Sequence, residues 1–304
     1  MHKIPQLMER LAKNEGLNST ALPGARVYKA TEYKRREPLC YNQGVIIVGQ
    51  GEKRVFVGDT VYEYNSDNYL VLSVPIPAEC ETFATKEKPL FALIVDIEIG
   101  MLNQIINQMD EHIDHNMLAG GEKHQGIYTA QTTPVIKDVV GRLLLCLQSP
   151  VETSVLGRGL ISELLFRIMC SENAASLYAL AIKNTNIARI DKALKRIHSN
   201  YKEPLPVDSL ASLVNMSPSA FHRSFQDVTS SSPVQYIKKI RLNKARELLL
   251  DQNVRVGEAA IVVGYESAAQ FSREFKRYFG NSPSEYTRNS QKGETPIRNG
   301  SAMK

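Results

Sequence analysis

The sequence predicts an α+β protein: a β-rich amino-terminal domain, a helical segment, and an all-α domain of two helix-turn-helix units joined by a linker helix. Three observations predict it. Short β-type runs broken by turn residues fill the stretch from about Tyr28 to Ile97. Beyond Glu98, apolar residues recur at helical spacing. In the last third, Phe221-His-Arg-Ser-Phe225 is echoed fifty residues later by Phe271-Ser-Arg-Glu-Phe275, each leading into Ser-Pro.

The bulk properties set the frame. A chain of 304 residues, 43% hydrophobic and 23% charged, has the composition of a globular protein with room for two or three domains. Its first residues lack a charged leader ahead of an apolar core, and no window approaches about 18 uninterrupted apolar residues. A cytoplasmic location without a membrane partner is therefore expected. Cys40, Cys80, Cys146 and Cys170 are far apart with no Cys-x-x-Cys pair, so they read as four isolated buried thiols. The net charge of +5 is unevenly spread: residues 1–182 carry 17 Lys and Arg against 21 Asp and Glu, whereas residues 183–304 carry 20 against 11. A clustered positive field attracts phosphates and gains from counterion release, which points to a polyanionic partner for the carboxy-terminal part.

Taken in order, Ile4, Leu7, Met8 and Leu11 mark a short amphipathic helix that packs on its own domain. Strand signals follow at Val45-Ile46-Ile47-Val48, Arg54-Val55-Phe56-Val57, Val61-Tyr62-Glu63-Tyr64, residues 69–74 and residues 91–95. Gly58-Asp59 and Asn65-Ser66-Asp67-Asn68 supply turns, and Pro75 and Pro77 are expected to interrupt the ladder. Such close spacing suggests an antiparallel sandwich or small barrel. Gly49-Gln50-Gly51 reads as a hairpin turn, because the residues after it return to a strand pattern instead of opening a helix. Helices are expected over Met101, Leu102, Ile105, Ile106 and Met109, near 135–147, and from about Val155 through Leu160, Ile161, Leu164, Leu165 and Ile168. Their apolar surface exceeds what a connector needs, so they cover the β-domain or form a subunit interface. The expected division is residues 1–118 (β-rich domain with its amino-terminal helix), 119–186 (helical dimerisation or connecting segment, ending in a short hinge at Lys183-Asn184-Thr185-Asn186), 187–290 (double helix-turn-helix) and 291–304 (disordered tail).

The repeat carries the chemistry. In the first copy Ser217 is a good N-cap and Pro218 a good first helical residue, with Phe221 and Phe225 one turn apart. In the second, Gly264 can take the turn conformation, and Ser267-x-x-Gln270 could form a capping box ahead of Phe271 and Phe275. With both Phe pairs turned inward, Ser219, His222 and Arg223 face outward in one copy and Ala269, Gln270 and Arg273 in the other. An exposed Arg near the start of such a helix can donate two hydrogen bonds to guanine in the major groove, and Gln can do the same to adenine. Between the copies, some 18 residues from Pro233 keep helical periodicity without a breaker, a rod about 27 Å long. That length suits two reading helices in successive groove turns about 34 Å apart.

The run from about Ile187 to Arg288 resembles the DNA-binding domain of AraC/XylS-type transcription regulators, through Ala260-x-x-x-Gly264-Tyr265-x-Ser267, Phe271-Ser-Arg273-x-Phe275-Lys-x-x-Phe279-Gly280-x-Ser-Pro283-x-x-Tyr286, and Arg241-Leu-x-x-Ala245-x-x-Leu248-Leu249. The resemblance implies double-stranded operator DNA as partner, base reading by Ser219, His222, Arg223, Ala269, Gln270 and Arg273, and phosphate contacts by Lys276 and Arg277. Ala269 departs from a hydrogen-bonding residue, since its methyl can only touch thymine. Residues 44–80 resemble the cupin-like half-barrel sensor of such regulators. This implies a small-molecule effector, a homodimer built through the following helices, and RNA polymerase as a further partner. Tyr28, Tyr41, Phe56, Tyr62 and Tyr64 are the aromatic candidates for an effector pocket.

Other sites are set aside. His112 and His115 in Asp-Glu-His-Ile-Asp-His, with His124 beyond, match neither His-Glu-x-x-His nor a His-x-His set, so no metal and no cofactor is expected. No catalytic motif appears, and the paired Glu79 and Glu81 read as an exposed strand face. Two alternatives remain: a barrel-type metalloenzyme with a DNA-binding tail, which metal analysis would reveal, and an effector-independent architectural DNA binder, which sequence-insensitive affinity would reveal.

Overall fold

Burial that alternates with period two along Glu52–Val57, with Lys53, Val55 and Val57 turned inward, makes this segment a half-buried strand. The computed structural model describes residues 3–109, 125–171, 173–182, 184–251 and 254–291. Among them ten strands form one antiparallel sheet: β1 (Gly16–Ser19), β2 (Ala25–Ala30), β3 (Lys34–Tyr41), β4 (Gly44–Gln50), β5 (Glu52–Val57), β6 (Thr60–Asn65), β7 (Asn68–Leu72), β8 (Ile76–Phe83), β9 (Leu90–Asp96) and β10 (Ile127–Gln131). Their order is β1-β2-β9-β4-β7-β6-β5-β8-β3, with β10 added on β7. The sheet curls into a half-barrel. Helix α1 (Ile4–Leu11) covers β4 from outside, and a Cβ on Gly49 would lie 2.7 Å from Met8 Sδ. Hence residues 44–48 of β4 are buried on both faces.

Three expectations change here. Gly49-Gln50-Gly51 is not a hairpin turn, because β4 pairs with β7 and β9 whereas β5 pairs with β6 and β8. It is a corner between two parts of the sheet, and Gly51 turns it at φ +87° with Leu90 Cα only 2.9 Å from where a Cβ would stand. Pro77 does not stop the ladder: it lies in β8, opposite Cys40 of β3. The pairing of β5 with β8 ends at Glu79, so Pro77 has a neighbour on one side only and its missing N–H is tolerated. Glu79 and Glu81 are half-buried, not fully exposed, and contact Arg36 and Tyr33.

Helix α2 (Ile99–Met109) buries all five apolar residues expected of it. Helix α3 (Pro134–Cys146) matches the expected span, but α4 (Pro150–Met169) starts five residues before Val155, where Ser149 caps it and Pro150 opens it. Helix α5 (Ala175–Ala181) follows. At the expected hinge, Thr185 Oγ1 accepts from the Ala188 N–H at 3.2 Å and caps α6 (Asn186–Asn200). Lys183 lies outside the described residues, as do His112, His115, His124 and residues 292–304. The four cysteines are free, but only Cys80 and Cys146 are buried; Cys170, just past the end of α4, is exposed and Cys40 is half-buried at the edge strand. Burial pushes the Cys40 thiol up to about 12, so it stays protonated.

The remaining helices are α7 (Val207–Leu213), α8 (Pro218–Thr229), α9 (Pro233–Asp251), α10 (Val256–Val262), α11 (Ala268–Phe279) and α12 (Pro283–Gln291). The hydrophobic core runs continuously from the half-barrel into α7, α8 and the start of α9, whereas the second helical unit closes a separate cluster around Phe271, Phe275 and Phe279. Polar contacts reinforce the junction. Tyr236 of α9 donates to the Pro75 carbonyl at 2.9 Å and meets His198 Nε2 at 2.8 Å; burial lowers His198 to about 4, so this imidazole is neutral. Arg246 Nη1 donates to the Pro38 carbonyl of β3 at 2.8 Å.

Candidate nucleic-acid interface and barrel pocket

Each candidate recognition helix is positioned from the turn before it. Helix α7 ends with Asn215 at φ +54° and the Met216 N–H bonded to the Ala211 carbonyl; α10 ends with Gly264 at φ +87° and the Tyr265 N–H bonded to the Ala260 carbonyl. Both are left-handed helix ends that satisfy otherwise orphaned carbonyls and turn the chain sharply. Asn tolerates the left-handed region and Gly adopts it freely. Ser217 and Ser267 then cap α8 and α11, their hydroxyls accepting the Ala220 and Gln270 N–H groups at 3.3 Å. The expected capping box is only half made, because the Gln270 side chain donates to Glu274 at 3.3 Å instead of reaching back.

Phe221, Phe225, Phe271 and Phe275 are fully buried, and Ser219, His222, Arg223, Ala269, Gln270 and Arg273 are all exposed. Lys276 and Arg277 are exposed one turn beyond Arg273. No described carboxylate forms an ion pair with Arg223, Arg273, Lys276 or Arg277. Four cationic side chains therefore face solvent without the partners that would neutralise them.

The frame between the units is fixed by contacts that the sequence motifs do not reveal. Arg241 of α9 donates to three carbonyls: Tyr201 from Nε at 2.7 Å, Gly264 from Nη1 at 3.0 Å and Glu203 from Nη2 at 2.8 Å. One guanidinium thus ties the linker helix, the segment after α6 and the turn of the second unit together. Glu274 of α11 accepts from Lys238 of α9 and from Tyr265, both at 2.9 Å. Partial burial opposes its charge, but these donors and Gln270 win and hold its carboxyl below the usual range.

In the half-barrel, Tyr28 and Tyr41 line a cavity of about 220 Å³ with Leu39, Ile46, Lys53, Arg26 and Asp96 among its walls. Tyr64 is buried, its hydroxyl 3.2 Å from that of Tyr41. Phe56 and Tyr62 do not line it: Phe56 is on the opposite face of β5 from Lys53, under the Arg36 guanidinium at 4.0 Å, and the Tyr62 hydroxyl bonds Gln125 at 3.3 Å. Aromatic content alone passes over Lys53, although a lysine in phase with Val55 and Val57 on an alternating strand is a legible signal. Strand β3 belongs to two surfaces at once. Leu39, Cys40 and Tyr41 wall the cavity, and Pro38 receives Arg246 from the linker helix.

A family profile described as the AraC-type transcriptional regulator N-terminus matches residues 21–176, just over half of the chain, and a helix-turn-helix domain profile matches residues 210–289. The chain belongs to the AraC-type transcriptional regulators. This AraC-type regulator is 35% identical over 99 residues to the HTH-type transcriptional regulator GbdR of Pseudomonas aeruginosa, covering 33% of this chain and 27% of that protein. It is 33% identical over 104 residues to the Msm operon regulatory protein of Streptococcus mutans, covering 34% and 37%. It therefore spans well under two thirds of these relatives' lengths. ToxT of Vibrio cholerae, solved with an unsaturated fatty acid bound, superposes with a TM-score of 0.59 over 90% of this chain and 97% of that one, at 12% identity, a likeness of fold alone. Among the described residues, no helix of the regulator is long and apolar enough to cross a membrane, and no group of three or more His, Cys, Asp or Glu could hold a metal.

Proposed function

We propose that this protein is a sequence-specific DNA-binding transcription regulator that reads two successive major-groove segments with α8 and α11 and responds to a small molecule bound in its half-barrel. The observation that carries it is the pair of exposed, unpaired arginines, Arg223 and Arg273, each at the same place on a capped helix. An unbroken 19-residue rod joins their units, about 28 Å long. Ser219, His222 and Gln270 complete the base-facing surface, Ala269 offers a methyl to thymine, and Lys276 and Arg277 meet phosphates.

Titrating an operator selected from a random library against unselected DNA tests this reading. Specific sites are expected to bind at least 10³-fold more tightly than random DNA at physiological salt. Equal affinity for both would leave an architectural binder. Neutralising Lys276 and Arg277 is expected to weaken both DNAs alike and to reduce the salt slope by about one for each phosphate that is no longer neutralised. A weakening confined to the operator would move these two residues into the base-reading set. The regulator acts on transcription through RNA polymerase, and transcription in vitro from a promoter beside that operator should change in yield when the protein is added. Unchanged yield would remove that partner.

The exposed apolar residues Val151, Val155 and Leu156 on the first half of α4 supply a face for a second copy. Val155 alone is 74% exposed, at a position where solvent contact brings no gain. Sedimentation should give a dimer for the wild type and a monomer for Val155→Glu; a wild-type monomer at micromolar concentration would discard this interface.

A further inference from the structure

We infer that the half-barrel cavity is a carboxylate-binding site built around Lys53, and that its ligand is a small organic acid with an apolar body. The inference rests on the reading of the amino-terminal domain as an effector-binding domain and names the chemical class it would accept.

Lys53 is 6% exposed. Its ammonium lies 4.6 Å from the centre of the Tyr28 ring and 5.9 Å from that of Tyr41. Burial works against its charge, while a hydrogen bond with Cys80 and the ring faces of Tyr28 and Tyr41 work for it. The Tyr41 and Tyr64 hydroxyls are themselves pushed up by burial and stay neutral. The lysine is thus a cation among ring faces, phenols and a thiol, with no described carboxylate paired to it. The one carboxylate on the cavity wall, Asp96, is engaged by Arg26.

A buried charge is costly unless paired, and an apolar side chain in phase with Val55 and Val57 would be cheaper at this position. An ammonium kept inside a cavity without its counter-ion is a site whose counter-ion arrives with the ligand. One uncompensated cation matches a monoanion. Arg26 Nε, buried with no partner, offers a second donor at the same wall. The rest of the lining sets Leu17, Leu39, Ile46, Ala92 and Ile94 beside Cys40, Asn42, Gly44 and Gln43, whose amide already donates to the Ser73 carbonyl at 2.8 Å; the apolar residues suit a hydrocarbon body. At 220 Å³ the space equals roughly seven waters, which selects a small metabolite.

The full-length protein is titrated calorimetrically and melted with benzoate, hexanoate, their amides and inorganic phosphate. At least one carboxylate is expected to raise the melting temperature and to bind about tenfold or more tightly than its amide, the gain of a charge-assisted contact over a neutral one. Lys53→Met should lose that preference while melting at or above the wild type, since it removes an unpaired buried charge. Should that variant fail to fold, Ala92→Leu narrows the cavity with Lys53 intact and is expected to lose carboxylate binding without losing its melting transition. Amide or phosphate binding as tightly as the acids, no response to either acid, or unchanged carboxylate binding in Ala92→Leu would overturn the inference. Operator affinity measured on the same preparations without ligand keeps the two readings apart: intact DNA binding with no carboxylate response sinks this inference alone.

Discussion

Gly264→Ala is expected to abolish operator binding and to lower unfolding stability by about 2–6 kcal/mol, as the outcome of two independent costs at one position. The backbone there holds φ +87°, which a residue with a Cβ adopts at a cost of about 1–3 kcal/mol. The added Cβ would also stand 2.4 Å from the Lys202 carbonyl oxygen, far inside van der Waals contact, and 3.2 Å from Arg241 Cζ, tighter than an ordinary contact. Neither neighbour can yield cheaply, because Arg241 simultaneously holds the Tyr201, Glu203 and Gly264 carbonyls. The turn therefore opens, and α11, which carries Arg273, loses its fixed angle to the linker helix. Asn215 is the internal control: it occupies the matching position of the first unit at φ +54°, so Asn215→Gly should be nearly neutral. Urea melts and operator titrations on both variants check this. Wild-type operator affinity for Gly264→Ala would mean that the turn is not what aims the second helix.

Much of this architecture is legible in the residues, and the failures have physical causes. Strands β4, β5, β6, β7 and β9 announce themselves by β-branched runs or period-two alternation. Strand β3 reads Lys-Arg-Arg-Glu-Pro-Leu-Cys-Tyr, a charged, proline-bearing segment that becomes a strand only because β8 pairs with it and because an edge tolerates Pro38. Its propensity is overridden by tertiary pairing. Gly49-Gln50-Gly51 misleads for a related reason: two glycines between strands look alike whether the chain reverses or rounds a corner, and only the pairing partners distinguish them.

The outward faces of α8 and α11 are the most legible part, since paired Phe anchors fix which side of a helix turns outward. The struts behind them are not. Arg241 acts on backbone carbonyls 23 to 40 residues away, and carbonyls carry no side-chain signature. Glu274 looks like one more surface charge between anchors until Lys238 and Tyr265 close on it. Of the five aromatics picked out by residue type, Tyr28 and Tyr41 line the half-barrel cavity, Tyr64 lies behind Tyr41, and Phe56 and Tyr62 lie elsewhere, because residue type is weighed without strand phase. Phase alone separates Phe56 from Lys53.

The double substitution Arg223→Lys with Arg273→Lys isolates base reading from charge. Lysine keeps the positive charge but lacks the planar fork that spans guanine O6 and N7, so it cannot reproduce a bidentate contact. Each replacement is expected to cost about 1–3 kcal/mol on the selected operator. The two arginines lie on separate helices held apart by the rod, with no shared partner, so the losses should add to about 2–6 kcal/mol, a fall of roughly 30- to 10⁴-fold. Affinity for random DNA and the salt slope should scarcely change, because no charge is removed. The second helix leans on Arg273 in particular: Gln270 must release Glu274 before it can reach a base, and Ala269 can offer no hydrogen bond. Within the pair, Arg273→Lys alone should therefore relax preference at a single base pair of its half of the operator. If the double-lysine protein still prefers the operator over random DNA by the wild-type factor, the guanidinium groups only screen phosphates, and sequence must be read by the other exposed residues of α8 and α11.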